Sequence, residues 1–140
     1  MKKLSILFAA FAVLFLVSCG KYEDGPGFSL RSKAGRVAGS WTYDKIYLND
    51  VDVTSLITTS GEDVTLDFTK DGGYTYTSVY AGQTYSDAGK WEFTNNDEDM
   101  KITDSDGYVD TYKILRLTNT EMWWSQTDGA DTYKIYLKAK

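Results

Sequence analysis

The sequence predicts an all-β fold: eight short antiparallel strands in up-and-down order, closed into a barrel behind a short N-terminal helical segment. Three observations carry the prediction. After Gly39 apolar and polar residues alternate with period two, most cleanly where Val64, Leu66 and Phe68 face away from Thr65, Asp67 and Thr69. Turn residues such as Asp71-Gly72-Gly73, Asp106-Gly107 and Asp128-Gly129 recur at the spacing of a β-barrel or sandwich. No helix long enough to cover a parallel sheet separates the strands, and short connections between neighbours favour an up-and-down order.

The elements follow in turn. Residues 28–37 carry Phe28, Leu30 and Val37 between basic residues and fit one or two helical turns, with Ser29 as a possible cap. The first strand runs from about Ser40 to Leu48, and the second from Asp63 to Thr69. Lys70-Asp71-Gly72-Gly73 is a hairpin turn, because Asp-Gly and Gly-Gly supply positive φ. The third strand, Tyr74 to Tyr80, puts Tyr74, Tyr76, Ser78 and Tyr80 on one side. Ala81-Gly82-Gln83 leads to the fourth, Thr84 to Thr94, and Asn95 to Glu98 to a short fifth, Asp99 to Thr103. Asp104 to Gly107 turns into the sixth, Tyr108 to Leu117. The seventh and eighth are Glu121 to Gln126 and Tyr133 to Lys138. Eight antiparallel strands can close and leave no free edge. A barrel of that size holds one small ligand or only its own side chains.

Ahead of this body stands a targeting segment. Lys2 and Lys3 precede an apolar run from Leu4 to Val17 broken only by Ser5, and Leu16-Val17-Ser18-Cys19-Gly20 closes it. A basic start, a short apolar stretch and a small residue before the cut make a secretory signal. The run is shorter than the roughly 20 residues that span a bilayer. Cys19 is the single cysteine, and its setting resembles the lipobox of bacterial lipoproteins. That resemblance implies removal of residues 1–18, diacylglyceryl transfer to the Cys19 sulfur and acylation of the new amino terminus with fatty acids such as palmitate. Anchoring of that kind takes more than one chain. Residues 19–27 are then the lipidated cysteine and a flexible tether, in which Gly20, Gly25, Pro26 and Gly27 prevent regular structure and Lys21, Tyr22, Glu23 and Asp24 keep it solvated. A lysine followed closely by acidic residues is also similar to the surface-export signal of some Gram-negative lipoproteins. The expected address is the outer membrane, with the domain facing the periplasm or the cell surface.

Composition narrows the chemistry. The full chain has 140 residues and a formal charge of −5. The signal carries lysines and no acids, so its removal leaves a more acidic domain. Such a surface repels nucleic acid and anionic headgroups. The chain has no histidine, and Cys19 is committed to lipid, so Ser-His and Cys-His catalysis and the common zinc sites are excluded. Nearly every aspartate falls in a turn, where its own backbone hydrogen bonds explain it. The clusters Asp97-Glu98-Asp99 and Asp104, Asp106 and Asp110 offer calcium-type oxygen ligands, but they lack the EF-hand spacing and closing glutamate, and read as hairpin turns. No catalytic residue, metal ligand or cofactor is expected, and the protein is read as a non-enzyme.

Gly39-Ser40-Trp41, opening the first strand, is similar to the Gly-x-Trp motif of lipocalins. With a helical segment ahead, a meander of eight strands and a lipoprotein signal, residues 28–140 resemble the lipocalin-like domains of Gram-negative lipoproteins. The resemblance implies that Trp41 sits inside the closed end, that residues 28–37 plug it, and that the connection from Asn49 to Glu62 lies beside the open end as a lid. Val51, Val53, Leu56 and Ile57 are apolar enough to fold over a cavity or fill it; the assigned lid residues are Val53, Leu56 and Ile57. The barrel interior, and with it any ligand site, is assigned to Trp41, Val64, Leu66, Phe68, Trp91, Phe93, Ile135 and Leu137. The chain is shorter than true lipocalins and carries only partial echoes of their Thr-Asp-Tyr motif, at Thr103-Asp104 and Asp110-Thr111-Tyr112.

Two functions follow. In the first, a lipid-anchored barrel binds a small apolar or amphipathic ligand. In the second, the core is filled and an exposed aromatic face holds a protein or glycan partner. Met122-Trp123-Trp124 bears on the second, because strand neighbours point to opposite sides and one tryptophan must face out or sit at a rim. The tyrosines Tyr74, Tyr76 and Tyr80 offer either such a strip or an ordinary core face.

Overall fold

The computed structural model describes Tyr22 and residues 30–140. The signal segment, Cys19, Phe28, Ser29 and all of the tether except Tyr22 lie outside the described residues. Two short helices, α1 (Lys33–Val37) and α2 (Thr54–Ile57), accompany nine strands: β1 (Gly39–Leu48), β2 (Val51–Asp52), β3 (Asp63–Phe68), β4 (Gly73–Tyr80), β5 (Gln83–Thr94), β6 (Asp99–Thr103), β7 (Val109–Leu117), β8 (Glu121–Asp128) and β9 (Asp131–Ala139).

Every pairing is antiparallel, and the order runs β1-β3-β4-β5-β6-β7-β8-β9 and back to β1. The sheet is therefore a closed eight-stranded barrel. The two-residue β2 folds back on the end of β1 outside the ring, pairing Tyr47 with Asp52 and Leu48 with Val51. Asn49 and Asp50 make that turn in the left-handed region, which Asn and Asp tolerate. This excursion and α2 break up the connection that sequence alone leaves as one loop.

Cross-strand partners share a face, so the register decides what points inward. Phe68 lies opposite Tyr74, and Leu66 opposite Tyr76. Trp91 faces Ile102 and Phe93 faces Met100. Met122 pairs with Leu137 and Trp124 with Ile135, all inward, which leaves the Trp123–Tyr136 pair outside. Two bulges shift the alternation, at Asp44 between Tyr43 and Lys45 and at Leu115 between Ile114 and Arg116. The first turns Ile46 inward, where strict alternation from Trp41 would leave it outside.

The closed end is packed solid. Trp41, Phe68, Trp91, Met100, Leu117, Met122 and Leu137 are buried there with Val37 of α1. Burial of each such side chain is worth about 1.5–3 kcal/mol. Helix α1 spans only the second half of the expected segment. Its cap is Ser32, whose Oγ accepts from the Gly35 N–H at 3.1 Å, and Leu30 is exposed. Lys33 reaches Asp97 at 2.9 Å, and Arg36 donates to the Leu117 carbonyl at 3.2 Å. These contacts tie α1 to the β5–β6 and β7–β8 turns.

Tyr22 departs from the solvated tether expected of it. It is buried in the same cluster, and its hydroxyl donates to the Asp97 carbonyl at 3.0 Å. Its ring is large enough to repay desolvation, and the turn at Asn95, Asn96 and Asp97, all left-handed, presents the carbonyl.

Candidate functional site

Above the packed end the barrel opens into a cavity of about 180 Å³, to which all eight ring strands contribute. Tyr43 comes from β1, Leu66 from β3, Tyr74 and Tyr76 from β4, and Asp87 from β5. Ile102 comes from β6, Asp110 and Tyr112 from β7, Trp124 from β8 and Ile135 from β9. Asp104 and Tyr108 of the β6–β7 turn complete the rim. Built ligand sites commonly span 300–1,000 Å³. An apolar cavity of roughly 150 Å³ takes one benzene-sized molecule. This cavity therefore suits a single-ring ligand.

The wall is aromatic and interlocked. Tyr112 stacks on Trp124 with ring centres 5.0 Å apart, and Phe68 meets Trp124 edge-on at 6.1 Å and stacks on Tyr74 at 5.7 Å. Rings held on both sides are pre-organised for a guest. Trp124 is 3 % exposed, and its indole N–H is buried with no acceptor among the described residues. The other inward indoles are satisfied: Trp41 donates to the Val37 carbonyl at 2.8 Å and Trp91 to the Thr69 carbonyl at 2.9 Å.

The tyrosines of the wall hold their protons firmly. Burial pushes Tyr43 up to about 12, helped by Tyr76, Tyr74 and Glu62. Tyr112 is raised by burial and then by Asp110. Tyr74 is raised by burial, then by Asp87 and Asp104, and Tyr76 by burial, then by Glu62. At neutral pH all four are neutral phenols that can donate or accept.

The rim carboxylates take their hydrogen bonds from neutral donors. Asp87 accepts from the Ser105 hydroxyl at 2.6 Å, and Asp110 from the Gln126 amide at 2.9 Å. Asp104 accepts from the backbone N–H groups of Asp106 and Tyr108 at 3.0 and 2.8 Å, an Asx turn of the kind expected for this segment.

The structure separates the residues assigned to the interior. Leu66 and Ile135 line the cavity. Trp41, Phe68, Trp91 and Leu137 are buried in the packed end, with Phe93 half-buried against them. Val64 is buried on β3 and faces a second recess, beneath α2. Sequence reasoning missed Tyr43, Ile102, Tyr112, Trp124 and the acidic rim as cavity residues. The shared face of Tyr74 and Tyr76 was visible, but its direction became clear only from their pairing with Phe68 and Leu66.

The lid assignment is corrected in its side chains. The segment does lie against Tyr43 and Val64, but Leu56 and Ile57 are 83 % and 51 % exposed. Val53 is half-buried. The recess beneath α2 is lined by Thr54, Thr58, Thr59 and Glu62. The cause is polar: Thr54 Oγ1 accepts from the Ile46 N–H at 2.9 Å, and the Val53 N–H donates to the Ile46 carbonyl at 2.9 Å. Those bonds fasten the threonine face of α2 to β1 and turn the apolar face outward.

The outer surface carries a separate aromatic row. Trp123 lies flat on Tyr136, ring centres 4.4 Å apart at 4°, and Tyr47 leans on Tyr136 at 5.2 Å. The Arg116 guanidinium sits 5.1 Å from the Trp123 ring centre and pairs with Glu121 at 2.8 Å. Of the two readings open for the third strand, the inward face holds: Tyr74 and Tyr76 face the cavity, and only Tyr80 of the three is exposed.

A closed eight-stranded meander, plugged at one end and hollow at the other, matches the family model for lipocalin-like domains over residues 37–124. The chain belongs to the lipocalin-like domain family. The matched span begins at the last residue of α1 and ends at Trp124, so the lipocalin-like core comprises the plugged end and the cavity wall as far as β8. The closing strand β9 adds Ile135 to the wall. No curated protein matches the chain.

Proposed function

We propose that this lipocalin-like domain binds a small amphipathic molecule in the tyrosine-lined cavity, and that the protein is a lipid-anchored binding protein and not an enzyme. The observation that carries the reading is the asymmetry of the barrel: one end is packed to exclusion, while the other keeps an aromatic cavity within the same strands. Apolar walls with a few polar groups are the common form of small-molecule sites. Leu66, Ile102, Ile135 and the tyrosine rings supply the apolar contact, and the phenols supply the polar groups.

Anchoring rests on the Cys19 setting. Tyr22 follows Cys19 by three residues, a reach of at most about 11 Å of extended chain. Since Tyr22 docks at the plugged end, lipid on Cys19 would hold that end against the membrane and turn the cavity mouth toward the aqueous phase. In an outer membrane, such a receptor samples solutes on its own side. An acidic domain is also repelled by anionic headgroups, which favours this upright arrangement.

The test is a titration of the full-length protein with p-cresol, a neutral single-ring probe, followed by methyl NMR. Saturable shifts are expected for Leu66, Ile102 and Ile135, with Val37 and Leu117 unmoved. Ile102→Phe, which fills the cavity, should remove them. Shifts scattered over the surface, or undiminished in Ile102→Phe, would sink the reading and favour the outer row around Trp123.

A further inference from the structure

The cavity mouth carries three carboxylates, and no lysine or arginine is among its described lining residues. Asp87, Asp104 and Asp110 stand on its rim. Their field reaches inward: Asp87 and Asp104 disfavour the charged form of Tyr74, and Asp110 that of Tyr112.

We propose that the ligand is a small organic ammonium compound: a single-ring or similarly compact body between the tyrosines, with a cationic amine at the Asp87–Asp104–Asp110 rim. The inference rests on the cavity being a binding site and adds the charge and polarity of what it takes. Neutral hydrophobes of the same size would fill the same volume but leave the rim unanswered. Anions of the same size meet repulsion at the mouth.

Calorimetric titration of the full-length protein with three near-isosteric probes tests it: tyramine (cationic), tyrosol (neutral) and p-hydroxyphenylacetate (anionic). Tyramine should bind at one site at least about tenfold more tightly than tyrosol, an advantage of one favourable charge contact. The acetate should bind more weakly than tyrosol. Asp87→Asn combined with Asp110→Asn keeps the acceptor oxygens and should erase the preference for tyramine over tyrosol. Equal affinity for tyramine and tyrosol, or a preference for the acetate, overturns the charge assignment while saturable p-cresol binding keeps the cavity reading. No saturable binding by any probe overturns both.

Discussion

Trp41 and Val37 are joined by a buried hydrogen bond, the indole N–H donating to the carbonyl at 2.8 Å across four residues. Val37 is the last residue of α1, and Trp41 is the third residue of β1, so this bond fixes the plug to the strand that closes the barrel. Trp41→Phe removes the donor, leaves the Val37 carbonyl unpaired and opens space beside Leu117. A loss of roughly 2–4 kcal/mol in denaturant unfolding is expected, from the unmet acceptor and the cavity together. Cavity affinity should be unaffected, because Trp41 is not part of that wall. Unchanged stability would show that the plug is not held this way.

Gly89 supplies a second test. A Cβ placed there would lie 2.0 Å from the Thr103 carbonyl oxygen and 2.9 Å from the Asp104 Cα, both backbone atoms that cannot swing aside. The neighbouring pair Lys90–Thr103 starts the β5–β6 ladder, next to the rim residues Asp87 and Asp104. Gly89→Ala should therefore part these strands at the mouth, at a cost at or above the roughly 1–3 kcal/mol of ordinary overpacking. Ligand affinity should fall with it. Amide exchange at Lys90 and Thr103 reports the opening; protection equal to the parent protein would refute the close approach.

Alkaline pH separates the wall from the rest of the molecule. Tyr43 titrates near 12 in the fold and near 10 when unfolded, because burial disfavours the phenolate. A raised value means that the fold keeps a proton the unfolded chain has released. The contribution is whole below pH 10 and is lost as pH rises through 12. By pH 12 Tyr43 alone should cost about 2 kcal/mol. Tyr112, Tyr74 and Tyr76 shift in the same direction and steepen the fall. Unfolding free energy measured from pH 9 to 12 should be level and then drop, less steeply in Tyr43→Phe. A drop beginning well below pH 10 would contradict the assignment.

The strands were legible because turn chemistry and period-two alternation are local. Asp99–Thr103 emerges with the same bounds in sequence and structure, and β1, β3 and β4 differ by one residue at an end. Which residues line the cavity was not legible, because that depends on register and on where the barrel stops being filled. Leu66 and Phe68 share a face, yet only Leu66 reaches the cavity, while Phe68 packs against Trp91 and Trp124. The bulges at Asp44 and Leu115 left no signature in composition. Leu56 and Ile57 misled for a related reason. Apolarity suggested burial, but the threonine hydrogen bonds to β1 set the orientation of α2.

The position of Tyr22 leads to a prediction about orientation. Its ring is buried and its hydroxyl reaches the Asp97 carbonyl, so the chain is fastened to the plugged end just after Cys19. With Cys19 acylated, a cysteine introduced elsewhere is the only free thiol and can carry a fluorophore. Glu98→Cys marks the plugged end and Ala130→Cys the β8–β9 turn at the mouth. In lipid vesicles, a headgroup-level quencher should dim the label at 98 strongly and the label at 130 weakly. Tyr22→Ala should narrow that difference, because the slack between anchor and barrel grows once the ring no longer docks. It should also cost about 3 kcal/mol or more of stability, the usual scale for deleting a buried aromatic ring. Cys19→Ala should move the protein to the soluble fraction. Equal quenching at both positions in the acylated protein would show that docking of Tyr22 does not set how the barrel stands on the membrane.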